Sequence, residues 1–132
     1  MSLKTFKAYT KSNRNTIIID KTGLWKGKPL KLLTSNKNKS YGRNNHGRIT
    51  SRHIGGGHKQ RYRSIDFFRK KDDIKATVER IEYDPNRTCY IMLVKYENDE
   101  KAYFLAPQKI SIGDEIISGK KKEIKIGNCM PL

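Results

Sequence analysis

From Tyr62 onward the chain breaks into short apolar runs separated by compact polar stretches, whereas the part before it shows little periodicity. "YRSIDFF" alternates loosely from Tyr62. "IKATVERIEYD" then places Ile74, Ala76, Val78, Arg80 and Glu82 on one face of a strand, with Thr77, Glu79, Ile81 and Tyr83 on the other. "TCYIMLVKY", Thr88 to Tyr96, is a continuous apolar run and predicts a strand buried on both faces. Between these two, "DPNR" is a turn signal: Pro85 presets φ, and Asp84 can accept a bond from the backbone beyond it. "ENDEK" (Glu97 to Lys101) is a second polar turn, followed by a strand in "AYFLA". A Pro-broken connection leads to a short strand around Glu115 to Ile117, and a last one is expected around Glu123 to Ile126. Short strands with hairpin-type turns and no convincing helix predict an all-β fold, a small antiparallel barrel of OB or SH3-like size.

The preceding zone contains one β-like run, "TIIID" (Thr16 to Asp20), then "TGLWKGKPLKLL" and the polar "TSNKNKSYGRNNHG". Gly, Asn, Ser and Lys dominate the last piece, which cannot bury enough apolar surface to fold by itself and is expected to order only on a partner. Trp25 lies outside the barrel pattern and is expected to anchor the segment on that partner or on the barrel edge. The chain therefore divides into an arm, residues 1–61, and a barrel, residues 62–132.

Charge sharpens this division. The chain has 132 residues, 32% of them charged, and a net charge of +16. Met1 to Ile65 holds sixteen Lys and Arg against the single acid Asp20, whereas Asp66 to Leu132 holds thirteen against twelve. From Lys21 to Ile65 there is no acid at all. A solvated basic face would carry interleaved Glu or Asp; this field calls for a polyanion, nucleic acid or an anionic membrane surface. The first residues, "MSLKTFKAYTKSNRNT", lack the Arg-rich amphipathic repeat of an import peptide and read as part of the basic arm. No apolar run approaches the roughly 18 residues of a membrane span, so no span and a soluble chain are expected.

Within the acid-free stretch, Arg43, Arg48, Arg52, Lys59, Arg61 and Arg63 alternate with Asn44, Asn45, Thr50, Ser51 and Gln60. Guanidinium forks bind phosphate bidentately, and amides read exposed base edges. Gly55, Gly56 and Gly57 lack side chains, so their N–H groups can approach a sugar-phosphate chain closely. They are followed by His58, Lys59 and Gln60 rather than a P-loop Lys-Ser/Thr, which gives nucleotide hydrolysis no support. His46, His53 and His58 lack a further metal ligand at suitable spacing, and their imidazoles are read as stacking on bases or bonding phosphate. No metal or other cofactor is expected. Cys89 and Cys129 have no CxxC spacing and are read as reduced thiols. Acids such as Asp72 with Asp73 and Glu79 with Glu82 fall in solvent-like patterns, so no catalytic set is found and a non-enzymatic role is expected. Tyr83, Tyr90, Tyr96, Tyr103 and Phe104 could form a base-stacking platform, but aromatics on short strands are more often core.

"GRNNHGRITSRHIGGGHKQRYRSIDF", "VERIEYDPNR", "YFLAPQKISIGDEI" and "IKIGNCMPL" closely resemble the N-terminal half of a large-subunit ribosomal protein family, the L-two family. The resemblance covers most of Gly42 to Leu132. It implies an RNA-binding barrel of OB type preceded by a basic arm that threads into large-subunit rRNA, in a protein that supports subunit assembly and translation. It also implies that positions from Arg43 to Arg63 contact RNA and that neighbouring large-subunit proteins are partners. Family members continue into a second, SH3-like barrel and a Gly/His-rich tail. A stop at Leu132 suggests a split protein whose C-terminal half is a separate chain. With twenty Lys, nine Asn and fifteen Ile, the composition points to an AT-rich genome. Together these favour an organelle-encoded, mitochondrial ribosomal protein, with an AT-rich bacterium as the alternative. Two rivals from other classes are a free-standing single-stranded nucleic-acid binder using the barrel aromatics and a metal-dependent nucleic-acid enzyme using the histidines.

Overall fold

A computed structural model describes residues 3–131. In chain order, β1 (Leu3–Thr5) and β2 (Ile17–Ile19) pair antiparallel around a single helical turn, α1 (Lys11–Arg14). A 3-10 turn (Lys31–Leu33) leads into β3 (Thr34–Asn36), which pairs antiparallel with β4 (Arg61–Arg63). The centre is a four-stranded antiparallel sheet in the order β7–β6–β5–β8, built from β5 (Lys75–Glu82), β6 (Ile91–Tyr96), β7 (Lys101–Leu105) and β8 (Glu115–Ile117). These antiparallel sheets, with one turn of α-helix, agree with the all-β, OB-type expectation.

The apolar run at β6 does what its composition predicts. Ile91, Met92, Leu93 and Val94 are all fully buried, and alternate residues feed opposite sides of the sheet. Met92, Val94 and Tyr96 pack with Ala76, Val78, Phe104, Ile110 and Ile116 on one side. Ile91 and Leu93 pack with Tyr103 on the other, where Leu30, Leu33 and Ile65 cover them. At roughly 1.5–3 kcal/mol for each large aliphatic side chain removed from water, this strand is the main source of barrel stability.

Simple alternation fails along β5, and the expected faces need correcting there. The register pairs Val78 with Val94 and then Arg80 with Leu93, leaving Glu79 as the extra residue of a β-bulge. Beyond it the faces exchange: Ile81, opposite Met92, joins the side holding Ala76 and Val78. Arg80 and Glu82, opposite Leu93 and Ile91, turn to the other side. The bulge also marks a change of edge partner. Before it, β5 pairs with β8; after it, the Ile81 carbonyl accepts from the Trp25 N–H at 2.8 Å.

Two further expectations change. No strand forms at Glu123 to Ile126: the chain turns tightly there, with Lys125 N–H bonding Glu123 O at 3.0 Å. Ile124 is 91% exposed, and the next pairing is a bridge from Ser118 to Cys129. The arm in turn is not featureless. It supplies β1, β2 and β3, and its "PLKLL" segment places Leu30 and Leu33 against the core, so the proposed 61/62 boundary falls inside β4.

Candidate nucleic-acid interface

Because β3 and β4 are antiparallel partners, residues 37–60 form the loop of a wide hairpin, and this loop holds most of the acid-free basic stretch. Its base is fixed. Ser64 N–H bonds Leu33 O at 2.9 Å, and Leu30, Leu33 and Ile65 pack on Ile91, Leu93 and Tyr103. From the far side, Asn86 of the "DPNR" turn donates its Nδ2 to Arg61 O at 2.7 Å. That turn forms as expected, with Asp84 Oδ1 accepting from Asn86 N–H at 2.9 Å, and Arg87 Nε bonding Asp84 Oδ2 at 2.7 Å.

A polar network ties the arm to the barrel at a second level. Tyr103 is fully buried; its hydroxyl accepts from Leu30 N–H at 2.9 Å and donates to Glu82 Oε1 at 3.0 Å. Arg80 Nε reaches the same carboxylate oxygen at 2.7 Å, and its guanidinium lies 4.8 Å from the Trp25 ring. Trp25 is therefore anchored on the barrel edge. Burial pushes the Tyr103 phenol up, reinforced by the Glu82 charge. For Arg80, burial works to lower the value, but the bonds and charges of Glu82 and Tyr103 outweigh it and the guanidinium is held above its ordinary value.

Inside the loop the backbone makes its own frame. Gly42, at φ +70°, offers a carbonyl that accepts from Thr50 N–H at 2.8 Å and Ser51 N–H at 3.1 Å. A Cβ there would stand 2.3 Å from Ser51 O, so only glycine fits. Arg43 bridges to Ile49, and Asn44 Oδ1 accepts from the N–H groups of His46 at 3.1 Å and Arg48 at 2.9 Å. Asn44 thus shapes the tip, and its carbonyl is committed to the loop. Arg43 donates Nη1 to Gly47 O at 3.0 Å while remaining exposed.

The loop brings Arg43, Asn44, Asn45, Arg48, Arg52, His53, Gly55, Gly56, Gly57, His58 and Lys59 together, all exposed, and Arg61 extends the row onto β4. Arg63 stands apart: it is 9% exposed, with Nη1 bonded to Arg61 O at 2.9 Å. Among the described residues no three His, Cys, Asp or Glu side chains converge as a metal site. The barrel aromatics divide: Tyr96, Tyr103 and Phe104 are buried, whereas Tyr83 is exposed with Lys21 Nζ 3.8 Å from its ring. Sequence reading passed over Tyr41 and Ile54, isolated apolar residues in a polar loop with no periodicity to mark them; both line an open hollow beside Arg43 and Arg52. Cys89 and Cys129 are free and exposed. No helix among the described residues is long and apolar enough to cross a membrane.

The family model described as "Ribosomal Proteins L2, RNA binding N-terminal domain" matches residues 30–118. The chain belongs to this family. It is 64% identical over 133 residues to the large ribosomal subunit protein uL2 of Pelagibacter ubique, which covers 100% of this chain and 47% of that protein. To the uL2 proteins of Gluconacetobacter diazotrophicus and Rickettsia prowazekii it is 61% identical over 132 residues, again 100% of this chain and 48% of theirs. The chain spans about half the length of these bacterial relatives. The L2 match begins at Leu30, the residue whose N–H meets Tyr103, and contains the whole basic loop together with β3 to β8.

Proposed function

We propose that the chain is a structural constituent of a large ribosomal subunit, binding and stabilising rRNA and so supporting subunit assembly and translation. The observation that carries this reading is the mounting of an acid-free basic stretch as one loop between two strands pinned to a packed barrel. Residues 1–61 act as the RNA-binding arm and 62–132 as the barrel that positions it, with β3 pairing joining the two. Arg48, Arg52, Lys59 and Arg61 meet phosphates, aided by Arg43, His53 and His58. Asn45 reads base edges, and Gly55 to Gly57 let the RNA backbone approach. Asn44 acts by shaping the tip and Arg63 by supporting β4, their outer groups completing the contact. The role is binding, with no catalytic step.

The partners are large-subunit rRNA and neighbouring large-subunit proteins, among them the segment equivalent to the second half of the L2 relatives, proposed as a separate chain. The richness in Lys, Asn and Ile supports an AT-rich source, proposed as mitochondrial with a bacterial cytoplasm as the alternative.

Sedimentation of the endogenous chain in high salt, with mass spectrometry of its fraction, tests all of this. Retention with the large subunit is expected; the rRNA and proteins alongside identify the source as organellar or bacterial. A second polypeptide carrying the remaining L2 sequence supports the split form, and one continuous polypeptide removes it. A chain left at the top of the gradient favours a free-standing single-stranded binder. Against that rival stands the burial of Tyr96, Tyr103 and Phe104, which leaves little of the stacking platform it needs.

A further inference from the structure

Tyr41 occupies a backbone conformation suited to glycine. Its φ is +53°, in the left-handed region, where a bulky side chain carries strain that glycine would avoid. The side chain gains only partial burial in return, remaining 44% exposed. Strain retained on an exposed aromatic points to a use outside the fold.

The surroundings indicate which. Tyr41, Ile54, Gly55 and Gly56 form the common wall of two hollows. One, of about 1020 Å³, also holds Arg43 and Arg52. The other, of about 380 Å³, holds Lys39 and Ser40. The tyrosine therefore stands between two concavities, each with a cation. The ring stands beside Gly55, where an added Cβ would come 3.7 Å from Tyr41 Cδ1. Gly56 and Gly57, at φ +72° and +73°, have open space where a side chain would stand. The bonds from Thr50 and Ser51 to Gly42 O brace the assembly from within the loop.

We propose that these hollows take two successive unpaired nucleotides of RNA, their bases on either side of Tyr41 and their phosphates toward the neighbouring cations. This rests on the reading that the loop binds RNA, and it narrows the ligand to unstacked, single-stranded RNA. A phosphate site would not need the apolar wall of Tyr41 and Ile54, and a duplex keeps its base faces stacked away from an aromatic ring. The absence of any acid from Lys21 to Ile65 fits a polyanion and not a cationic or neutral peptide.

The test compares a short single-stranded oligoribonucleotide containing 2-aminopurine with the same sequence as a duplex, both bound to the full chain. Binding should quench the single-stranded probe. Tyr41→Gly, which suits the left-handed backbone, should keep the unfolding midpoint and lower single-strand affinity roughly 5- to 100-fold while leaving duplex affinity unchanged. Tyr41→Asn, which also tolerates that backbone, should behave like it, and Tyr41→Phe should retain both quenching and affinity. Equal binding of both probes by wild type and Tyr41→Gly, without quenching, would overturn the stacking site and leave the RNA-binding reading intact. Failure of both probes to bind wild type at low salt would overturn the two together.

Discussion

Tyr103 shows how one side chain joins barrel to arm. Tyr103→Phe keeps the ring packing but strips Leu30 N–H and Glu82 of a partner, and should lower unfolding stability by about 1–3 kcal/mol in denaturant titrations. The pH dependence has a definite sign. Burial raises the phenols of Tyr103 and Tyr96 in the fold, so the protonated fold is favoured below the unfolded value near about pH 10. That contribution is lost as pH rises through the folded values; stability should fall in this alkaline window, less steeply in Tyr103→Phe. On the loop, Arg52→Ala should weaken RNA binding across sequences and reduce the salt slope by about one in filter-binding titrations. Lys101→Ala, which removes a surface ion pair with Glu79 on the opposite half of the chain's charge distribution, should leave binding nearly unchanged. Composition alone marks the arginines and glycines of the loop as candidates. Tyr41 is not so marked, because its evidence is a dihedral angle and two hollows that no local pattern encodes.

Among the elements, β6 to β8 were the most legible, since a continuous apolar run, a polar turn and a five-residue apolar segment each have one economical arrangement. The bulge at Glu79 lies where alternation breaks, since Glu79 and Arg80 are consecutive polar residues and the apolar phase moves from Ala76 and Val78 to Ile81, a break that a strand read with unbroken alternation overlooks; the exchange of faces comes from pairing with β6 and from the two different neighbours along the outer edge of β5. Likewise β3 has little strand propensity of its own and forms because β4 lies opposite it. The bulge turns Arg80 toward Trp25 and Glu82, which gives a direct check on the element. Arg80→Ala leaves Glu82, only 4% exposed at its side chain, without its cation, and should cost about 3–5 kcal/mol of stability. Because Trp25 is the sole tryptophan, its fluorescence should shift to the red as the indole loses its cover. Emission unchanged from wild type would mean that the stack does not hold the arm in solution.

Taken whole, the molecule separates its two tasks by charge. The ion pairs within the second half, such as Lys71 with Glu100, Lys101 with Glu79 and Lys122 with Asp73, let that half fold on balanced surface charge. The loop has no acids to balance its cations. If some six of them meet phosphate, the logarithm of RNA affinity should fall with the logarithm of salt concentration at a slope of roughly −4 to −5; a flat response would contradict phosphate neutralisation. The Leu30 N–H bond to Tyr103 adds a constraint on timing, since its partners lie 73 residues apart in the chain. At roughly 5–20 residues per second, synthesis needs about 4–15 seconds after Leu30 to reach Tyr103. For the later part of that interval, once Arg61 has been added, the basic segment is already made and its anchor does not yet exist, so the nascent chain passes through a stage at which its strongest attraction is for whatever polyanion is nearest.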